Sequence, residues 1–343
     1  MRFFASCDRG LEGVLAAELT ALNLKGVRPG NRGATWIGGR DDLAVANLGS
    51  RIANRILVPL REVGARHKGQ LYGGTRDVDW SRWFSPDQTL AIDVVGTNTS
   101  LRHSGFTAQV IKDAVCDRMR DDTGRRPDVD RDRPDIRIAA RIEGDRCSLS
   151  LDSSGERLHR RGYKLDVGEA PLRETLAAGL LALCDWNGDR PMLDPMCGSG
   201  TLAIEAAMIA AHVAPGLGRL EPGGAGFAFE RWSDHSDDAL QAVAERLRSE
   251  QTDAVPPISA SDIDASMVVR ARRNAARIGV RDLITWSDGD LVRAEPNGDG
   301  GLLLTNPPYG ERLSTPEALI PTYAALGDTL KQSFAGWQAG VIA

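Results

Sequence analysis

The sequence predicts an α/β chain: an open parallel sheet in the back half, preceded by a smaller α+β region. Three observations predict it. Residues 192–209, MLDPMCGSGTLAIEAAMI, pass from an apolar run through Gly198 and Gly200 into a helical pattern, which reads as strand, glycine turn and helix. About a hundred residues on, LLLTNPPYGERL at 302–313 gives a second apolar strand ending in Asn306-Pro307-Pro308-Tyr309. The third observation is charge. Residues 1–165 carry 28 Lys and Arg against 22 Asp and Glu, whereas 166–343 carry 14 against 25. A basic front half and an acidic back half suit different partners.

The front half alternates short strands and helices. Residues 2–7 read as a strand, followed by a helix carrying Leu11, Val14, Leu15, Leu19 and Leu22. A strand at 34–38, a short helix at 41–48 and a strand at 56–63 follow; 67–84 reads as a loop with a short helix. A clear strand at 89–95 precedes a helix at 106–119, with Val110, Ile111, Ala114, Val115 and Met119 on one face and Gly124 as its stop. The charged turn 128–135 lacks the glycine and terminal glutamate of a calcium loop. Strands at 136–142 and 147–151 are joined by Glu143-Gly144-Asp145, which is hairpin chemistry.

The back half opens with a helix after Pro171, its inner face assigned to Leu172, Leu176, Leu180 and Leu183. Parallel strands follow at 192–194, 257–260, 283–286, 302–305 and 339–343. Asp264 caps the helix that ends at Gly279. The glycine-rich insertion 213–235, with Phe227, Phe229 and Trp232, reads as a substrate-contacting loop or as a loop tethered by its aromatics.

Composition excludes several classes. No run approaches the ~20 apolar residues of a membrane span, and the N-terminus lacks a secretory pattern. Cysteines 7, 116, 147, 184 and 197 are scattered without a CxxC pair, which argues for a reducing cytoplasm and against a zinc or disulfide framework. No metal is expected.

The glycine turn paired with Asn306–Tyr309 resembles the class I S-adenosylmethionine-dependent methyltransferases. More narrowly, the chain is similar to RNA guanine-N2-methyltransferases that carry a THUMP domain, of the kind acting on bacterial 23S ribosomal RNA. SGFTAQVIKDAVCDRM and RCSLSLDSSGERLHRRGY carry the THUMP resemblance. The resemblance implies a ferredoxin-like domain at 1–54, a THUMP RNA-binding domain at 55–163, a linker at 164–170 and a Rossmann-like methyltransferase domain at 171–343. Family members continue beyond the fifth strand with a helix and an antiparallel hairpin. The chain is therefore expected to be truncated at its C-terminal end, leaving that strand as an open, apolar edge.

S-adenosylmethionine, the implied cofactor, needs a carboxylate near its ammonium, a turn to lie against and an acid for its ribose diol. Asp194, Met196, Cys197, Gly198, Ser199, Gly200 and Thr201 are candidates for the first two. Asp262 is the candidate for the ribose, with Ile263 packing on the adenine. The family pattern puts Asp290 at the adenine amino group; Asp288 stays open as the alternative. Arg173 and Thr175 fall where the family closes over the methionine end, though a plain amphipathic helix explains their spacing equally. Asn306 and the Pro307 carbonyl can accept both hydrogens of one exocyclic amino group, Pro307 and Pro308 fix the backbone, and Tyr309 offers a stacking face. These four are the catalytic candidates. For RNA phosphates the candidates are Arg102, His103, Lys112, Arg125, Arg126, Arg157, Arg160 and Arg161. The rival readings are a transfer-RNA guanine-N2, DNA adenine-N6 or protein glutamine methyltransferase, and an inactive RNA-binding protein.

Overall fold

The computed structural model describes residues 1–164, 172–233, 235–308 and 316–342. The chain divides into two compact units, one of Met1–Leu158 with Ala225–Val243, the other of His159–Gly224 with Ala244–Ala343.

The first unit is built on one seven-stranded sheet. In chain order it holds β1 (Arg2–Ser6), α1 (Glu12–Ala21), β2 (Lys25–Gly30), β3 (Gly33–Ile37), α2 (Asp41–Gly49), β4 (Arg55–Gly64), α3 (Lys68–Arg76), β5 (Leu90–Val95), α4 (Ser104–Thr123), β6 (Ile136–Glu143) and β7 (Arg146–Asp152). The strand order is β2-β3-β1-β4-β7-β6-β5. β4 pairs antiparallel with β1 on one side and with β7 on the other, so the sheet runs unbroken through the expected boundary at 54/55. Strand alternation sends Phe3, Ala5, Ile56, Val58, Ile138, Leu149 and Leu151 into the core. Phe3 stacks on its register partner Trp36 with ring centroids 5.1 Å apart. β2 was not expected from the sequence: KGVRPG has no alternation and is mostly exposed, and it is a strand because it pairs irregularly with β3 at the sheet edge. α4 starts two residues before and ends four residues after the expected span. It is closed by Gly124 at φ 76°, whose N–H donates to the Arg120 carbonyl.

The insertion belongs to this first unit from Ala225 onward. Phe227, Phe229 and Trp232 are buried. Trp232 meets Trp83 edge-on at 5.8 Å, the Arg40 guanidinium lies 4.7 Å over Trp83, and the Phe229 N–H donates to the Ser153 carbonyl at 3.1 Å. Of the two readings of these aromatics, tethering is the one the geometry supports.

The second unit comprises α5 (Glu174–Leu183), β8 (Met192–Asp194), α6 (Thr201–Ala210), β9 (Ile258–Asp262), α8 (Ala265–Arg277), β10 (Thr285–Asp288), β11 (Leu302–Thr305), α9 (Pro316–Ser333) and β12 (Gln338–Val341), with α7 (Asp237–Ser249) crossing the division between units. Its five strands run in the order β10-β9-β8-β11-β12, all parallel. The order reverses between β8 and β11, and crevices for ligands open at such switch points, past the carboxyl ends of the strands. β10 lies two residues later than expected because one 3-10 turn, Arg281–Leu283, occupies its predicted start. The inner face of α5 also differs. Ala177, Ala178 and Leu181 are buried together with Glu174, while Leu183 is exposed, so the face repeats i, i+3, i+4, i+7 from Glu174. Among the described residues β12 pairs only with β11. Pro171, most of the expected linker and Ala343 lie outside the described residues.

Candidate functional site

Three adjacent parallel strands end in aspartate: Asp194 on β8, Asp262 on β9 and Asp288 on β10. Asp194 is buried under the glycine turn. Its Oδ1 accepts from Thr305 Oγ1–H at 2.9 Å and from the Met196 N–H at 3.2 Å. Burial pushes this carboxyl up to about 7, against the two hydrogen bonds that lower it.

The turn itself is held from below and open above. Gly198 has φ 52° and Gly200 φ 85°, values that glycine adopts without strain. A side chain on Gly200 would collide with Ala271 at 2.8 Å, so this glycine is needed for the approach of α8 to α6. A side chain on Gly198 would meet nothing within 4 Å. Asp262 Oδ2 accepts from the Gly198 N–H at 2.8 Å, and its Oδ1 accepts from the Asp264 N–H at 3.0 Å. The Cys197 N–H donates to the Ser261 carbonyl at 2.8 Å, and Asn274 Nδ2–H donates to the Ser199 carbonyl at 3.1 Å. Thr201 opens α6 and is buried. Burial and the carboxylates of Asp194 and Asp262 push the Cys197 thiol up, so it stays protonated and is no nucleophile.

Ile263 projects from the end of β9 with 75% of its surface exposed, a free apolar face beside Asp262. Asp264 caps α8 through the Ser266 N–H, as expected. Asp290 Oδ1 accepts from the Val292 N–H and caps the short helix Leu291–Arg293, while Asp288 closes β10.

At the acceptor end, the buried strand β11 leads through Thr305 into Asn306, Pro307 and Pro308. Asn306 Oδ1 is buried and, among the described residues, has no hydrogen-bond partner. Such an atom carries a desolvation cost of ~1–3 kcal/mol that a donor on a ligand would remove. Thr305 joins this end to the glycine turn through Asp194, a link the sequence did not single out. A polar residue closing the apolar run LLLT was the available signal. Asn274, a buried polar residue within α8, was the signal for the prop under Ser199. Tyr309 lies outside the described residues.

The expected RNA contacts scatter. Arg102, His103, Arg125, Arg126, Arg157 and Arg160 are exposed, and Lys112 is half-buried beside Asp113. Arg125 pairs with Asp87 at 2.6 Å, and Arg126 sits 4.0 Å from Asp117. Arg161 is a correction. It is 3% exposed, and its Nη2 lies 3.3 Å from Glu205 Oε2 on α6, where Tyr163 OH also donates to Oε1 at 3.1 Å. A guanidinium enclosed in this way cannot reach a phosphate. Sequence reading grouped it with its exposed neighbour Arg160 because adjacency along a chain does not reveal burial.

The residues present fit S-adenosylmethionine. An open glycine turn, a carboxylate at the second strand tip and a bare apolar side chain next to it match the aminoacyl, ribose and adenine parts of that molecule. Among the described residues no cluster of His, Cys, Asp or Glu could hold a metal ion, and no helix is long and apolar enough to cross a membrane.

Comparison with known proteins agrees. The RMKL-like methyltransferase domain matches residues 161–343, the THUMP domain 65–152 and the RlmL ferredoxin-like domain 2–57. The chain is 41% identical to slr0064 of Synechocystis sp., provisionally named an RNA methyltransferase, over 99% of this chain and 87% of that protein. It is also 41% identical to the ribosomal RNA large subunit methyltransferase K/L of Magnetococcus marinus, over 99% of this chain; there it spans about half of the relative, 48%. Among solved structures, SMU.472, provisionally described as a methyltransferase and complexed with SAH, superposes with a TM-score of 0.88 at 28% identity, over 99% of this chain and 88% of that one. A structure from Listeria monocytogenes described as a predicted N6-adenine-specific DNA methylase matches with the same TM-score at 29% identity, with the same coverage of both chains. With the site's geometry and these matches together, the chain belongs to the RMKL-like methyltransferase family, with a THUMP domain and an RlmL ferredoxin-like domain ahead of its Rossmann-like methyltransferase domain.

Proposed function

We propose that this protein is an S-adenosylmethionine-dependent RNA methyltransferase acting in the cytoplasm on an exocyclic amino group, the N2 of a guanine in 23S ribosomal RNA. The observation that carries the reading is the buried Oδ1 of Asn306 just past the end of β11, which has no hydrogen-bond partner among the described residues. The K/L relatives, which by name act on the large ribosomal subunit's RNA, support the choice of substrate.

An exocyclic amino nitrogen is a poor nucleophile because its lone pair is delocalised into the base. Asn306 Oδ1 and the Pro307 carbonyl accept its two hydrogens, which localises the lone pair without a strong base. Consecutive prolines hold those acceptors in place, and Tyr309 stacks on the base. The cofactor, when bound, supplies a methyl group on a sulfonium. Asp262 holds both the ribose diol and the Gly198 N–H, Ile263 covers the adenine and one of Asp290 and Asp288 meets its amino group. Asp194 and Thr305 fix the turn relative to the acceptor strand. Positioning of this kind supplies most of the rate. Residues 1–163 hold RNA, 164–170 link, and 171–343 carry the chemistry.

The Listeria match favours one second reading, DNA adenine N6, which presents the same amino chemistry. Mass spectrometry of nucleosides from strains with and without the gene separates them. Loss of N2-methylguanosine from 23S RNA is expected; loss of N6-methyladenine from DNA, with the RNA unchanged, would replace this reading by the second.

A further inference from the structure

The seven-stranded sheet leaves one face uncovered, and that face forms a groove of about 1590 Å³ lined by every strand from β3 to β5 and by the first turns of α4. Six strands at ~4.8 Å spacing make it roughly 24 Å wide. The alternation that buries Phe3, Ile56 and Leu151 turns Ser6 and Ser148 toward the groove together with Phe4, Leu57, Ile92 and Val94, giving a mixed floor of apolar and small polar side chains beneath the charged ones.

Charge on this face is unbalanced. The lining has eight Lys and Arg against five Asp and Glu. Four of those carboxylates are already occupied: Asp152 by Arg55, Asp93 by Arg137, Glu143 by Arg141 and Glu62 by Arg146. Four lining arginines, Arg2, Arg32, Arg131 and Arg157, are exposed, and no hydrogen bond or ion pair of their guanidinium groups is found among the described residues. Two come from the ferredoxin-like region and two from the THUMP side, so the excess is spread across the sheet. Outside the groove, by contrast, Arg125 and Arg126 already have carboxylates near them.

We infer that this uncovered sheet face is the RNA-binding surface, with Arg2, Arg32, Arg131 and Arg157 on backbone phosphates and the ferredoxin-like region supplying half of the grip. The inference rests on the RNA methyltransferase reading above and deepens it. Spaced guanidinium groups standing around a mixed apolar and polar floor complement a nucleic-acid strand, with its chain of phosphates for the charges and its bases and sugars for the floor. Such a strand is held by backbone charge more than by sequence. An apolar protein partner would have to bury these arginines without counter-charges, at a cost of several kcal/mol per ion.

The test uses the full chain and protein-free 23S ribosomal RNA, with binding measured across a salt series. Calorimetric binding of S-adenosylmethionine checks each variant's fold. The pairs Arg2→Glu with Arg157→Glu and Arg32→Glu with Arg131→Glu should each weaken RNA binding at least tenfold. Each pair should also flatten the slope of log K against log salt by about 1.4–1.8, since each phosphate contributes ~0.7–0.9. Arg→Gln pairs should give a smaller loss and a similar change of slope. Arg76→Glu with Arg118→Glu, outside the groove and paired with Asp121 and Asp122, should stay within threefold of wild type. Groove variants within threefold of wild type, or an equal loss in the Arg76 and Arg118 pair, overturn the groove while leaving the RNA reading intact. Polyglutamate binding as tightly as the RNA would reassign the face to an acidic protein segment. No RNA binding by the wild-type chain would overturn both readings together.

Discussion

The two sheets of this chain place their polar groups in opposite ways. In the parallel sheet, Leu302, Leu303 and Leu304 are buried in succession, and chemistry is confined to the strand ends, at Asp194, Asp262, Asp288 and Asn306. In the seven-stranded sheet the strands other than the exposed edge strand β2 bury one face and turn the other toward the groove, so charged and polar groups spread over an area. The difference teaches that a site built at strand ends converges on one small ligand, whereas a site built on a face suits an extended one.

The sharpest test of that division is Arg161, which the sequence placed with the RNA contacts and the structure places beneath α6. Arg161→Ala leaves Glu205 buried without its partner and should cost ~3–5 kcal/mol of stability in urea unfolding. RNA affinity per folded molecule should not change. A stable variant with weak RNA binding would return Arg161 to the RNA-binding face.

Asp194 tests the strand-end half. An unfolded aspartate ionises near 3.8, whereas the folded one holds its proton up to about 7. Its contribution to stability is therefore full below pH 4 and is lost as pH rises through 7. At ~1.4 kcal/mol per unit, that is on the order of 4 kcal/mol. Unfolding of Asp194→Asn between pH 4 and 8 should lack this decline; identical profiles would show that Asp194 ionises normally.

Asn306→Ala removes an acceptor that matters most in the transition state. Single-turnover methylation should fall roughly 10²–10³-fold, the scale seen for such preorganised hydrogen bonds. Calorimetric affinity for the cofactor should stay within a few-fold. Methylation within a few-fold of wild type would remove Asn306 from the chemistry.

The smallest of these effects belongs to Asp262→Ala, which should weaken cofactor binding by ~1.5–3 kcal/mol, as for hydrogen bonds to a charged group. Unchanged affinity would leave Asp262 only its role under Gly198.

Much of this was legible because it is local. Gly198, Gly200, Asp262 and the Asn306-Pro307-Pro308 run are contiguous signals, and the strands around them follow runs of apolar residues. What the sequence concealed is tertiary. Thr305 matters through a hydrogen bond to Asp194, 111 positions away. Trp232 is a tether because it meets Trp83. β2 exists only through its pairing with β3, and Arg2 and Arg32 come together with Arg131 and Arg157 only once β4 joins two subdomains into one sheet.

The central claim, that the site at the end of β11 methylates a guanine amino group in RNA, is tested most directly by reconstitution. The purified chain is incubated with isotopically labelled S-adenosylmethionine and 23S RNA from a strain lacking the gene, and the digested nucleosides are separated by mass. Label in N2-methylguanosine, absent with Asn306→Ala, is the predicted result. Label in another nucleoside, or equal incorporation by the Asn306→Ala protein, would contradict it.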